Sequence, residues 1–587
     1  MLCESLPEVA RTILRPDEIL ALMNEAEEKG ETPFLPAIEN IERAKAALSP
    51  AIDKSEQFVD VFLGQLIPDL CRYSVVVPEL VEAHACFAHE VALTVIDRKQ
   101  KRLSVPLDTG LGKSSSVRYV YKAAKDLGYA FPICICVATV RELRETYGKL
   151  KDLGVTNIAL DFSVGYARPR FQPTDEKDWK ECEVLLCCHA VADLTKGDWE
   201  KRMTTRWGDR TVFYDEALRK GEVNTFYLKR LQSEWRMLSS FIHGDLKGWI
   251  DGAINLLSKA SGDVYVGVAP DNAAKQIEDA ELSYREDGTD TRFGHLKSFV
   301  KPGHSTVKKV GLGFYSFVEK LPYMPSLFVL DANHLHSPLS TLDKSIKAIP
   351  FPTPIIKWYH NVLIKPYGGS GGKFGTRRNR KQKLELLKEI LLTLEGEGKK
   401  CLVLCSQEFE KEVKAQGADN VLTWGIHTGT NDYSDFDNVI VFNTYWLANS
   451  TTTGYVDLYG GKIEKANIEE VAEQEMVLDF YQGVSRSITR RNTVDAKGRT
   501  QALPCTIHIL GTFNKRELDY LDKVMPGIQY EKGKLAEVKR YLTSCKGVIS
   551  SKKVMKDCGL SEWDWESRVK PYMDKHYPKT GRSYRTG

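Results

Sequence analysis

Between residues 100 and 330, short apolar runs alternate with amphipathic stretches, and no other feature constrains the fold as much. AFPICICVAT is followed by VRELRETYGKLKDLG, then by VTNIALDF, CEVLLCCHA and RTVFYDEAL. Such alternation predicts a parallel sheet covered by helices, an α/β fold. A second series runs through KKCLVLCSQ, ADNVLTWGIHTG, DNVIVFNTYWL, a helix near 466–490 and PCTIHILGT. It predicts a second sheet facing the first across a cleft. Residues 218–325 break the first rhythm with an aromatic, helix-rich stretch, read as an insertion before SLFVLDAN resumes the sheet. Lys365–Lys383 holds five glycines, seven basic residues and no acid, which suits a flexible linker.

The expected division is a helical N-terminal domain (1–88) and a first α/β domain (89–350) with a helical insertion near 218–325. A basic glycine-rich linker region (351–383), a second α/β domain (384–529) and a basic C-terminal element (530–587) follow. A chain of 587 residues is too long for one core. No run of about 18 apolar residues predicts a membrane helix, and the N-terminus lacks the pattern of a signal peptide. The 13 cysteines are odd in number and sit mostly in strand-like runs, so an intracellular, reducing, cytoplasmic setting is expected. No Cys-x-x-Cys pair supports a zinc ribbon or iron–sulfur site, and Cys401 and Cys405 are expected in the core. Residues 530–587 carry 14 Lys/Arg against 7 Asp/Glu, on a chain whose net charge is only +3. A basic end on a near-neutral body suits an acidic partner such as nucleic acid, or else a solvated tail.

VPLDTGLGKSSS, Val105–Ser116, reads as strand, glycine-rich turn and helix start. Gly110 and Gly112 allow the tight turn a phosphate cradle needs, and the helix N-terminus adds positive potential. Lys113 is placed to reach phosphates, and Ser114 to offer its hydroxyl to Mg²⁺. The alternative is an ordinary turn with a surface lysine. Leu107 stands where the early glycine of G-x-x-x-x-G-K-[ST] would be. About a hundred residues on, TVFYDEAL places Asp215 and Glu216 at a strand end, where α/β sheets hold ligands. Asp215 suits Mg²⁺ and Glu216 an attacking water.

With these two motifs the chain resembles the superfamily 2 helicases and translocases, in which two RecA-like domains sandwich ATP and share a nucleic-acid groove. LDTGLGKS is similar to motif I (A-x-x-G-x-G-K-[ST]), which does not require the early glycine, and DEAL to motif II. The resemblance implies ATP and Mg²⁺ as cofactors, with Thr109, Gly110, Gly112, Lys113, Ser114 and Ser115 around the nucleotide. CVATVREL resembles motif Ia, implying that Thr139 and Arg141 contact nucleic acid; LLCCHAVADL places His189 near a strand end with a similar role. VLDAN resembles motif III, with Asn333 a departure. GIHTGTNDYSDFDNVIV resembles motif V, implying Gly429 and Asp432 near the nucleotide and Thr430 and Asn431 near the strand. YQGVSRSITRR resembles motif VI (Q-x-x-G-R-x-x-R): Gln482 and Arg486 fit, Ser485 replaces glycine, and the second arginine, Arg490, comes one residue late. Arg486 and Arg490, four apart on an expected helix, would share one face. Either suits an arginine finger.

The C-terminal VISSKKVMKDCGLSEWDWESRVKPYMDKHY resembles a helix-turn-helix, with YPKTGRSYRTG as a wing or loose tail. A helical pair docked on the second sheet is the alternative. Trp235, Trp249 and Phe226 could stack single-strand bases, but core packing suits most of them better. The expected activity is therefore an ATP-dependent helicase or translocase, on DNA (single-stranded or forked) in preference to RNA. The alternatives are an RNA helicase and a DNA-binding regulatory or scaffold protein with a switch-like or inactive ATPase.

Overall fold

The computed structural model describes residues 54–587, apart from 163–170, 190–195, 217–220, 261, 286–292, 301–305, 311–312, 320–323, 325, 370, 426–431, 532–537, 539–540, 543–544, 546, 559, 561–564, 582 and 587. The first 53 residues of the expected N-terminal domain thus lie outside the described residues. Two helices, α1 (Lys54–Leu70) and α2 (Pro78–Val95), begin the described chain. They are not a separate domain. Phe58, Phe62 and Phe87 are fully buried in the core of the first sheet, and Phe87 stands edge-on to Phe213 and Phe328.

The chain continues through β1 (Arg102–Ser104), α3 (Lys113–Asp126), β2 (Ile133–Val137), α4 (Val140–Asp152), β3 (Ile158–Asp161), β4 (Val184–Cys188) and β5 (Thr211–Asp215). It then leaves the sheet for an insertion containing β6 (Gly221–Phe226), α5 (Leu228–Leu238), α6 (Gly244–Lys259), β7 (Val264–Tyr265), β8 (Thr306–Val310) and β9 (Gly313–Glu319). It returns as β10 (Leu327–Leu330) and β11 (Lys347–Ala348). The order β11-β1-β10-β5-β2-β4-β3 is parallel throughout. β2 and β4 are buried at every position, as strands covered on both faces must be.

The insertion is not purely helical. Its strands pair antiparallel in the order β6-β9-β8-β7. Phe226 and Trp235 pack in its core with Leu231 and Phe314, so they are not base-stacking surfaces.

The second domain begins earlier than expected. β12 (Val362–Pro366) lies inside its sheet, followed by a short helix, α7 (Lys373–Arg378), and α8 (Arg380–Gly396). The glycine-rich stretch is therefore a structured part of this domain and not a flexible joint. Its glycines serve close approach: a Cβ on Gly511 would stand 2.7 Å from Gly371 Cα, and one on Gly371 would stand 3.2 Å from Thr444 Oγ1. The sheet continues with β13 (Cys401–Cys405), β14 (Val421–Thr423) and β15 (Asn438–Val441). After α9 (Asn449–Leu458) and α10 (Lys465–Val484) come β16 (Cys505–Ile509), α11 (Lys515–Val524) and β17 (Gln529–Tyr530). Its order is β14-β13-β15-β16-β12-β17, again all parallel. The expected pair of parallel-sheet domains is thus present.

The insertion, though part of the first domain, rests on α9 of the second. A Cβ on Gly454 would lie 2.3 Å from Val223 Cγ1, and Lys308 Nζ meets Asp457 Oδ2 at 2.6 Å. At the C-terminus, β18 (Gly547–Ser550), α12 (Ser551–Asp557), α13 (Lys570–His576), β19 (Lys579–Thr580) and β20 (Ser583–Thr586) enclose a small core of Val554, Trp565, Val569, Met573 and Tyr584. The antiparallel order β18-β20-β19 makes the expected wing a hairpin. Gly559 and Ser561 of the expected turn lie outside the described residues. No described helix is long and apolar enough to cross a membrane, and the described cysteines are all free thiols.

Candidate nucleotide site at the domain interface

The loop between β1 and α3 turns through two left-handed glycines, Gly110 (φ 81°) and Gly112 (φ 88°). Gly112 caps α3 without any side-chain hydrogen bond, which leaves the helix's first amides open to an anion. Leu107 is fully buried, a packing position. Lys113 Nζ donates to the carbonyls of Leu107 and, at 3.1 Å, Asp108. Burial brings its ammonium down to about 8, against the opposing pull of Asp215 and Asp108.

Behind the loop stands His84 of α2. Its Nε2 donates to Leu111 O at 2.9 Å, and its Nδ1 lies 3.0 Å from Ser116 Oγ. Full burial holds this imidazole near 4, so it is neutral and its Nδ1 accepts from the serine. The N-terminal helices thus brace the glycine loop from beneath.

β5 delivers Asp215, and Ser114 Oγ donates to Asp215 Oδ2 at 2.9 Å. A hydroxyl and a carboxylate converge here, the hard oxygen donors Mg²⁺ takes. Glu216 follows with φ 78°, an uncommon conformation for a side-chain-bearing residue, and such strain concentrates at functional sites. Burial raises its carboxyl to about 7; Arg486 lowers it, and Asp215 and Glu142 add to the rise.

The second domain closes over this loop. Arg486 Nη2 meets Glu216 Oε1 at 2.8 Å. Contrary to expectation, Arg486 and Arg490 do not share a helix face. α10 ends at Val484, where the Ser487 hydroxyl donates to Val484 O at 2.6 Å, and Arg490 lies in a separate short turn, Ile488–Arg490. The Ser487 side chain competes for backbone groups, accepting from Thr489 N as well, and so helps to end the helix. Both arginines nevertheless reach one interdomain cavity of about 270 Å³. It is lined by Thr109, Gly110, Gly112, Lys113, Ser114, Ser115, Asp215 and Glu216 from one domain and by Gln482, Arg486 and Arg490 from the other.

Gly110 sits at the seam. A Cβ there would stand 1.9 Å from Arg490 O, in addition to the strain of φ 81°. Gly110→Ala is expected to hold the two domains apart and lower ATP turnover by about a hundredfold, measured as steady-state phosphate release.

Other expected residues fall elsewhere. Thr139 caps α4 in a capping box with Glu142, so its hydroxyl is committed to the backbone. His189 stacks its ring on Tyr214 at 4.2 Å, and burial lowers it to about 4. Asp432 does not line the cavity. It pairs through both oxygens with Arg141 across the cleft, an exposed contact worth at most about 1 kcal/mol. Gly429, Thr430 and Asn431 lie outside the described residues.

Several lining residues went unanticipated. Arg118 and Lys149 come from α3 and α4, and Tyr73 stands at the rim, 73% exposed; Asp331 and Ala332, within the VLDAN run after β10, line the cavity as well. Glu142 also lines the cavity, its carboxyl raised by burial and then by Asp215. Its signal was present in TVRE, a capping box, but that pattern points to a helix start and not to a site.

A second hollow, of about 710 Å³, lies at the C-terminal ends of β13–β15. Lys373, Lys411, Trp424, Tyr445 and Trp446 line it, with Glu408 paired to Lys373 at 3.0 Å.

No family model matches the chain, and no curated protein matches it. Among solved structures it is similar to Xpd4 of S. tokodaii, at 13% identity over 75% of this chain and 98% of that one, with a TM-score of 0.41. It is similar to Dbp5 of S. cerevisiae bound to RNA and ADP BeF3 at 12% identity, over 78% and 93% of the two chains (TM-score 0.29). The DUF1998 helicase MrfA bound to DNA matches at 8% identity, over 92% of this chain and 59% of that one (TM-score 0.33).

Proposed function

We propose that the chain is an ATP- and Mg²⁺-dependent nucleic-acid helicase or translocase of the superfamily 2 type, acting on DNA in preference to RNA. One observation carries the reading: Lys113, Ser114, Asp215 and Glu216 face Gln482, Arg486 and Arg490 across a single cavity between two α/β domains. A phosphoryl-transfer site needs this set, namely an anion cradle, hard oxygen donors, a base and cations from the far side.

Lys113 exchanges its two carbonyl partners for phosphate oxygens. Ser114 and Asp215 would hold Mg²⁺, which supplies charge neutralisation to the phosphates when bound. Glu216 orients the attacking water and takes its proton. Arg490 faces the phosphates from the second domain. Closure around ATP and reopening after hydrolysis would step the domains along a strand.

For the strand itself, Tyr445 and Trp446, each more than a third exposed, offer stacking faces beside Lys373 and Lys411. The C-terminal unit favours DNA: Lys552, Lys553 and Lys556 on α12, with Lys579 and Arg585 on the hairpin strands, suit duplex phosphates.

The test is ATP hydrolysis with and without single-stranded DNA, beside a Lys113→Ala control and a length-matched RNA. DNA-stimulated turnover absent from Lys113→Ala is expected. No turnover above that control with any nucleic acid would leave a regulatory or scaffold protein, and stronger stimulation by RNA would reverse the substrate preference. Displacement of a labelled strand from 3′- and 5′-tailed duplexes then separates unwinding from translocation.

A further inference from the structure

The connection between the two domains passes from one core to the other within a few residues. Ile356 packs in the core of the first domain and Tyr359 in that of the second. Lys357 lies between them and is fully buried. Its Nζ donates to Thr489 O at 2.7 Å, Thr109 O at 3.1 Å and Arg490 O at 3.4 Å. An ammonium has three donors, so each is directed at a backbone carbonyl.

These carbonyls come from both sides of the nucleotide cavity. Thr109 belongs to the phosphate loop, whereas Thr489 and Arg490 form the turn that carries the second arginine. Burying an ammonium is unfavourable unless it is paired and hydrogen-bonded. The nearby carboxylate is Asp108, which accepts from Tyr481 OH at 3.0 Å. Tyr481 OH in turn lies 3.3 Å from both Thr109 N and Tyr359 OH. The hinge lysine is thus held in a closed polar network reached by both domains. Gly110 makes the same seam tight, since its missing Cβ is what admits the Arg490 carbonyl.

We propose that Lys357 is a positioning residue for the nucleotide site: it ties the Thr489 and Arg490 carbonyls to the phosphate loop and thereby aims the Arg490 side chain into the cavity. The inference rests on the nucleotide-site reading given above. Lys357 touches no reacting atom. It acts through Arg490, and a bound phosphate that shifts the Thr109 carbonyl shifts the arginine turn with it.

Lys357→Met keeps the stem and removes all three donors. It is expected to lower kcat for nucleic-acid-stimulated ATP hydrolysis by about tenfold to a hundredfold while leaving KM for ATP within about threefold. In an Arg490→Ala background the same change should cost nothing further, because the two act as one unit. Hydrogen exchange read by mass spectrometry gives a measure that needs no turnover. Segments covering Thr109–Gly110 and Ile488–Arg490 should both exchange faster in Lys357→Met than in the wild type.

Unchanged kcat, losses that add to those of Arg490→Ala, or unchanged exchange in both segments overturns the proposal. A wild type without ATP turnover sinks the functional reading instead, and the exchange measurement still decides the role of Lys357. If Lys357→Met shows no cooperative thermal transition, Lys357→Gln, which retains two donors, is held to the same criteria.

Discussion

Glu216→Gln is expected to lower kcat for ATP hydrolysis by about 10²–10⁴-fold, with nucleotide binding retained. Glu216 follows β5 at φ 78°, next to Asp215, and its carboxylate faces the cavity with Arg486 at 2.8 Å. Glutamine keeps the size and a hydrogen-bonding oxygen but cannot take a proton. The same residue sets the pH dependence. Burial, Asp215 and Glu142 raise its carboxyl to about 7 against the pull of Arg486. A base must be ionised to act, so kcat/KM falls as pH drops below that value. Lys113 works in the opposite sense: burial brings its ammonium down to about 8, and it must keep its proton to meet a phosphate. The free protein therefore has both groups in their working forms only over a narrow range between these values, and kcat/KM should trace a narrow bell. In Lys113→Arg, whose guanidinium stays charged, the alkaline limb should move out of range. Initial rates between about pH 5 and 10 read both limbs. A flat wild-type profile, or wild-type kcat in Glu216→Gln, would remove Glu216 from the role of base.

What could be read from the sequence, and what could not, divides along physical lines. Strands buried on both faces announce themselves as apolar runs, so both parallel sheets were visible from ICICV, VLLCC, CLVLC and NVIV. The turn at Gly110 and Gly112 was legible because a left-handed turn needs glycine, and that requirement is local. Composition misled at Lys365–Lys383. Glycine signals freedom in a solvated chain and close approach in a packed one, and only the neighbours Thr444 and Gly511 show which applies. The run YQGVSRSITRR held an unforeseen break, since Ser487 offered the backbone other partners. Lys357 was invisible. Nothing adjacent to a lysine in IIKWYH shows that three carbonyls distant in sequence will converge on it. His84 was hidden for the same reason: its partners Leu111 and Ser116 lie in the motif, but its own helix carries no sign of them.

The two arginines should separate cleanly. Arg486 is already engaged, as the ion-pair partner of Glu216. Arg490 lines the cavity beside Lys113, and among the described residues its guanidinium makes no ion pair. Burial lowers its pKa, followed by Arg486 as a like charge, while Asp215 and Glu142 oppose the shift. A buried cation held by longer-range attraction alone gains most when negative charge develops in front of it, as it does on a transferring phosphoryl group. Arg490→Ala is therefore expected to lose about 10³-fold or more in kcat while keeping the acid limb of the pH profile where it was. Arg486→Ala should differ in kind. Removing it strips Glu216 of the cation that meets its carboxylate directly, and the raising influences of burial, Asp215 and Glu142 then dominate. The acid limb of kcat/KM should then move to higher pH, and part of the lost rate should return as the pH is raised. Arg490→Ala offers no such recovery, because its loss is of transition-state charge and not of a proton acceptor. If the two variants share one pH profile, or if Arg490→Ala recovers with pH while Arg486→Ala does not, the assignment of Arg490 as the finger and Arg486 as the tuner of Glu216 is reversed or lost.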